Sequence, residues 1–421
     1  MGYAAFFGMA ALLLLYYLAP AAAAWVGDDR IILSLRVLAF ALPFVAASGA
    51  MGGYFIAMHQ SVKMSLVQLS EQFIRIGCTV LALLRLGGYG LEYACGALTL
   101  GMLASEVFSF LALLLLLLAS LPRREGRCRT SMLPSLLRIT VPLSLSSYAR
   151  SALSTAQHLL VPRGLRLFGG GAQAALAAYG VIQGMSLPIL LFPAALIAVI
   201  ADLIVPELTE AQVQGRLRGL GYMLERLYRL GLSMAVAGAC FFFAHPLGEL
   251  IYSEPAAGQY IRFLAPLVPI MYMDTLVDGM LKGVGEYRAN MRYNIIDAAT
   301  GLLLVWLLLP RYGVAGYLFS ISATELLNFA LSAARLTRVT VFRLQPLCWL
   351  LTAAAAVGGW WLLRLIFGRL LSRTGQPLIL LLLVFLYLAC YGAALLLCGA
   401  LRREELSWLF SLLRGEKSPK T

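Results

Sequence analysis

Long apolar runs recur from one end of the chain to the other, separated by short charged or Gly/Pro-rich breaks. Many extend 18 residues or more, enough at 1.5 Å per residue to cross a ~30 Å hydrocarbon core. Cutting at the breaks predicts about twelve spans, approximately 3–26, 32–57, 64–86, 92–119, 136–161, 173–204, 220–244, 259–281, 289–309, 314–336, 346–368 and 376–399. The expected fold class is therefore all-α: a polytopic membrane protein. The opening stretch from Tyr3 to Val26 is too long and too uniformly apolar for a signal peptide and reads as a spanning helix. In the tail, Leu406, Trp408, Leu409 and Leu412 fall on one face of Glu404 to Arg414, which predicts a helix lying on the membrane surface.

Composition agrees with the pattern. Hydrophobic residues make up 61% of the 421 positions and charged ones 13%, with a mean hydropathy of +0.84, far from the roughly 25% charged of soluble domains. A water-soluble enzyme is excluded, and no inter-span loop is long enough for a catalytic domain. The net charge of +13 is spread over the breaks, which is the footprint of membrane topology and not of a nucleic-acid groove. Nineteen basic residues fall in loops after even-numbered spans and in the tail, against seven after odd-numbered spans. The positive-inside rule then puts both termini in the cytoplasm. Seven cysteines without a CxxC pair indicate neither a disulfide framework nor a metal site. No cofactor is expected.

An internal repeat is visible. Ala104-Ser105-Glu106-Val107-Phe108-Ser109-Phe110 in the fourth span resembles Ala323-Thr324-Glu325-Leu326-Leu327-Asn328-Phe329 in the tenth, each after a Tyr-Gly pair, Tyr89-Gly90 and Tyr312-Gly313. Parallel repeats of this kind are a transporter architecture. The repeat divides the chain into an incomplete four-helix lobe over 1–120, a six-helix lobe over 121–343, two further helices over 344–400 and a basic amphipathic tail over 401–421. Two helices are expected to be missing ahead of the first lobe.

Ionisable side chains at bilayer depth cost a few kcal/mol each, about 2.5–3.5 on insertion scales, so each demands a partner or a wet cavity. Glu71 and Arg75 lie four apart on one helical face and read as a packing ion pair, or as Arg75 offered to a ligand. Arg150 stands in a Ser-rich stretch with no carboxylate within a turn, which favours a hydrated cavity; His158 sits two turns further on. Asp274 and Asp278 share a face, Asn294 and Asp297 open the ninth span, Glu325 and Asn328 lie on the tenth, and Gln183 precedes Pro188. Prolines 162, 188, 193, 206, 266 and 269 interrupt the fifth, sixth and eighth spans and are candidate hinges.

Several segments in consistent order, GYF at Gly53–Phe55, EQFIRI at Glu71–Ile76, HLLVPR at His158–Arg163, AYGVIQGMSLPILLFP at Ala178–Pro193, MRYNIID at Met291–Asp297 and LLPRYGVAGY at Leu308–Tyr317, resemble the multidrug/oligosaccharidyl-lipid/polysaccharide exporter superfamily. Within it they are similar to the branch of stage V sporulation protein B and related polysaccharide and lipid II flippases. The resemblance implies two six-helix lobes plus two final helices, alternating between inward-open and outward-open states. It implies a flippase for a lipid-linked oligosaccharide or peptidoglycan precursor at the cell membrane, with spore cortex assembly as a setting. Arg75, Arg150 and Arg163 would then pair headgroup phosphates, Gln183, Asn294 and Asn328 would hydrogen-bond sugars, and Glu71, Asp278, Asp297 and Glu325 would couple an ion or balance the arginines. Expected partners are the lipid-linked sugar, membrane lipids and cell-wall or polysaccharide synthesis enzymes, without nucleic acid. The alternatives are a cation-coupled multidrug antiporter of the same superfamily, an inactive truncated scaffold, and a membrane glycosyltransferase using Asp28-Asp29.

Overall fold

The structure is a computed structural model and describes residues 2–26, 29–58, 60–120, 133–169, 172–215, 217–233, 237–340, 346–371, 376–399 and 401. The amphipathic tail segment, Asp28 and the arginines of 123–129 lie outside the described residues. Every regular element among the described residues is helical, and eight helices are long and apolar enough to cross a bilayer by length and composition. The chain divides into two compact units, Met1–Ser131 and Met132–Thr421.

The first unit holds α1 (Gly2–Val26), α2 (Ile31–Ala57), α3 (Ser61–Leu86) and α4 (Leu91–Ser120). α2 packs on α1 and α4, and α4 packs on α3. Glycine permits the close approaches: a Cβ at Gly8 would lie 2.8 Å from the Pro43 backbone, and one at Gly101 would collide with Thr79. Buried residues are few: Met51, Phe55, Val67 and Leu113 form the centre, and only 6% of the Lys63–Tyr89 window is buried. Phe73, Leu84 and Leu115 point outward instead. In water such a surface would drive association; in lipid it is the solvent-facing side, and helices hold together by close packing and polar contacts.

The second unit begins with α5 (Leu133–Leu167). α6 (Ala172–Gly180) runs through a π-helical turn, Val181–Ser186, into α7 (Leu187–Leu191), and a break at Phe192-Pro193 separates it from α8 (Ala194–Val213). Next come α9 (Leu217–Ser233), α10 (Ala237–Phe242), α11 (Ala244–Tyr252) and α12 (Pro255–Leu264). A 3-10 turn at Ala265–Leu267 leads into α13 (Val268–Gly283). α14 (Tyr287–Val339) consists of two arms that turn at Gly313, whose φ of 57° and ψ of −133° are non-helical. α15 (Pro346–Leu371) and α16 (Pro377–Leu397) follow.

The spans predicted over 289–309 and 314–336 are thus the two arms of α14. Glu286, just before the first arm, accepts a bidentate pair from Arg335 near the end of the second, at 2.9–3.2 Å, so the arms run antiparallel. α5 lies parallel to the first arm, since Gln157 abuts Gly301 and Gly164 abuts Leu309; a Cβ on either glycine would come within 2.8 Å of its neighbour. α13 nests against α8 through Gly279 and Gly283, an i, i+4 pair of small residues set against Ala201 and Leu208. The Pro255–Gly283 stretch is 67% buried, which makes it the centre of this unit.

Some expectations need correction. Pro162 does not interrupt its span: α5 continues to Leu167, because the packing of Gly164 on Leu309 holds the helix past the one backbone bond that proline removes. Pro206 likewise lies within α8. The sixth span runs on through the π-turn and is interrupted at Phe192-Pro193, as its prolines suggested. α11 is an extra helix that hydropathy merged with the loop after the seventh span. α11 and α12 meet almost backbone to backbone at Gly248 and Gly258.

Candidate functional site

In the first unit, Arg75 of α3 binds Glu71 one turn away and reaches across to α4, where Glu106 lies 3.3 Å from Nη2 and Ser105 Oγ accepts from Nε at 3.1 Å. The guanidinium is 31% exposed, and the two carboxylates are less so, at 14% and 12%. Of the two readings of this residue, the geometry matches the packing ion pair, widened to an interhelical cluster. Glu106 was visible in the repeat but not picked as Arg75's partner, because helical spacing reveals only partners on the same helix.

In the second unit, α13 and the two arms of α14 bring most of the polar residues together. Asn294 Nδ2 donates to Asp278 Oδ2 at 3.3 Å, and Asn290 Nδ2 donates to the Asp278 carbonyl at 3.2 Å. Asn294 also hydrogen-bonds Asn290. One turn along α13, Asp274 Oδ2 accepts from Asn328 Nδ2 of the second arm at 2.8 Å. Asp297 and Glu325 belong to the same electrostatic neighbourhood.

Beside Asp278 opens a cavity of about 210 Å³, lined by Ser146, Ser147 and Arg150 of α5, Asp278 and Lys282 of α13, and Asn290, Met291 and Asn294 of the first arm. Arg150 is exposed in this unit and interacts electrostatically with Asp278, Asp297 and Glu325. In the sequence Lys282 counts only among the basic residues that follow the even-numbered spans, because the end of a span is where interfacial lysines are expected. Three of the predicted residues, Arg150, Asp278 and Asn294, therefore line the cavity; Asn328 bonds Asp274 one turn along α13, and Asp297 and Glu325 are coupled to Arg150 electrostatically. Arg163 is exposed near the end of α5 and does not line the cavity.

Gln183 lies elsewhere on the unit. It sits in the π-turn and donates through Nε2 to Tyr317 Oη of the second arm. Tyr179 packs on Tyr317 with ring centroids 6.0 Å apart, and its hydroxyl is 2.8 Å from His158 Nδ1. His158 and both tyrosines were not picked as site residues. Among the described residues no group of three or more His, Cys, Asp or Glu is placed to hold a metal ion.

Comparison with known proteins finds relatives in sequence and in fold. Stage V sporulation protein B of Bacillus subtilis (strain 168) is 25% identical over 344 residues, 78% of this chain and 65% of that protein. The chain is its homologue. It spans about two thirds of the length of that relative. No family model matches. Among solved structures, the lipid II flippase MurJ in an inward closed conformation superposes with a TM-score of 0.65 at 11% identity, over 93% of this chain and 81% of that one. An inward-facing multidrug resistance MATE family transporter of the MOP superfamily gives 0.55 at 14% identity, over 80% and 79%. The all-α transporter fold expected from the sequence is the fold found, and the chain is a multi-pass membrane protein.

Proposed function

We propose that this protein is a flippase that carries a lipid-linked oligosaccharide or peptidoglycan precursor across the cytoplasmic membrane. It would act as a carrier and not as an enzyme, with both termini cytoplasmic and with cell-wall or polysaccharide synthesis enzymes supplying or taking its cargo. The observation that carries this reading is the cavity that pairs Arg150 with Lys282 in a unit built of membrane helices. A sugar-phosphate headgroup cannot enter hydrocarbon, whereas a polyprenyl tail can stay in it, so transport needs a wet, cation-bearing surface at bilayer depth. Guanidinium and ammonium groups bind phosphate oxygens by charge-assisted hydrogen bonds. The similarity to stage V sporulation protein B and the shared fold with the lipid II flippase support the same reading.

A second reading has one observation in its favour. Asp274, Asp278, Asp297 and Glu325 outnumber Arg150 and Lys282 in this neighbourhood, as a cation-coupled antiporter would require. In the flippase reading the same carboxylates balance the two cations and couple an ion. The deciding experiment is reconstitution in proteoliposomes with a polyprenyl-diphosphate-linked sugar, following access of the headgroup to an impermeant reagent. Translocation that falls about tenfold or more in Arg150→Ala, the scale of one charge-assisted hydrogen bond, is expected. Failure to move the lipid, together with uptake of a lipophilic cationic dye, establishes the antiporter instead.

A further inference from the structure

α5 presents a polar face in the middle of a membrane fold. Ser147, Arg150, Ser151, Thr155 and His158 are all exposed within the second unit, and 147, 151, 155 and 158 follow the i, i+4, i+8, i+11 rhythm of one helical face. Lipid-facing positions elsewhere carry Leu, Phe and Trp, for example Phe192, Leu365 and Trp361. A serine- and arginine-bearing face at that depth meets water or a polar ligand. At one end of this strip Ser147 and Arg150 line the cavity, and at the other His158 meets Tyr179. The eight residue steps from Arg150 to His158 separate the two ends by about 12 Å along the helix.

The His158 end differs in chemistry from the Arg150 end. His158, Tyr179, Gln183 and Tyr317 supply imidazole, phenol and amide groups, tied together by the His158–Tyr179 and Gln183–Tyr317 hydrogen bonds. The π-turn carries Gln183 and Gly184 on adjacent positions, and such turns often mark functional sites. Gly180 and Gly184, one turn apart and both exposed, have nothing within 4 Å of where a Cβ would stand, so the helix face adjoining the one that carries Tyr179 and Gln183 is open. An uncharged set of donors and acceptors with aromatic faces suits sugar hydroxyls and ring faces and offers a phosphate no cation.

We infer that His158, Tyr179, Gln183 and Tyr317 form a saccharide subsite about 12 Å from Arg150, so that this unit holds the diphosphate at one end of the α5 strip and the glycan at the other. The inference rests on the flippase reading and adds the part of the headgroup that is recognised. It selects a substrate with at least a disaccharide beyond the phosphates, since a single sugar would not span from the cavity to the tyrosines.

The test is equilibrium binding of two probes, polyprenyl diphosphate and polyprenyl diphosphate disaccharide, to the full chain in nanodiscs. Wild type is expected to bind the disaccharide lipid more tightly. His158→Ala is expected to remove roughly two- to tenfold of that advantage, the scale of one hydrogen bond, and Gly184→Phe to abolish it by filling the open space. Both variants keep wild-type affinity for the bare diphosphate, which also reports that they fold. Equal affinity of the two probes for wild type, or an equal loss for both probes in the variants, overturns the subsite and leaves the flippase reading standing. No binding of either probe to wild type overturns both.

Discussion

Replacing Arg75 with methionine separates the two roles the sequence left open for it. In the structure this guanidinium holds Glu71 on its own helix and Glu106 on the next, with Ser105 as a third acceptor. Methionine keeps much of the side-chain bulk but leaves two carboxylates facing each other without a cation. A hydrogen bond to a charged group contributes about 1.5–3 kcal/mol, and interhelical hydrogen bonds inside membranes average nearer 0.6 kcal/mol. Because Arg75 is 31% exposed, screening pulls the total toward the lower part of the sum. The expected loss is therefore about 2–3 kcal/mol of stability, with the Ser105 bond the smallest share. The assay is reversible unfolding in bicelles of wild type, Arg75→Met, Glu106→Gln and the double variant. Glu106→Gln combined with Arg75→Met should recover part of the loss, giving a coupling energy of about 1 kcal/mol or more. An unchanged stability in Arg75→Met, accompanied by lost affinity for polyprenyl diphosphate, would refute the packing role and return Arg75 to the substrate.

Two further substitutions test the second unit. Gly279→Leu forces a side chain into the Ala201 backbone, where even a Cβ would stand 2.8 Å from the neighbouring methyl; overpacking of this sort costs about 1–3 kcal/mol, and thermal melting in detergent should show a clear fall that Gly180→Leu, with open space around it, does not. Asn328→Leu removes the donor that Asp274 Oδ2 holds at 2.8 Å, so unfolding should become easier by about 1–3 kcal/mol, and Asp274→Asn in the same chain should reverse most of the change.

The helices were legible because bilayer thickness sets their length and lipid demands an apolar surface, so hydropathy alone outlined nearly all of them. It failed where a span is not one rod. Nothing in the apolar run around 181–186 distinguishes a π-turn from an α-turn. Among the site residues, Asp274 and Asp278 on α13 could be grouped because an i, i+4 pair must share a face. Partners across helices, such as Glu106 for Arg75 or Tyr317 for Gln183, are separated by 31 and 134 residues or similar intervals, and no local pattern links them.

The repeat sharpens the contrast between the units. Both Tyr-Gly pairs close helical hairpins on a positive-φ glycine, Gly90 at 126° and Gly313 at 57°, a conformation that side chains with a Cβ rarely adopt. Each hairpin then carries a glutamate on its second helix, Glu106 in one unit and Glu325 in the other. Glu106 meets an arginine from its own hairpin. Glu325 is coupled electrostatically to Asp297 of its own hairpin, to Asp278 of α13 and to Arg150 of α5, which lies exposed. One hairpin thus carries its own counter-charge and is electrostatically closed. The other depends on an arginine that also faces the cavity, so a ligand anion that engages Arg150 must weaken its hold on the carboxylates. If Arg150 holds the headgroup of the proposed substrate, binding and carboxylate charge are coupled in the second unit, whereas the arginine of the first unit is already committed to Glu71 and Glu106.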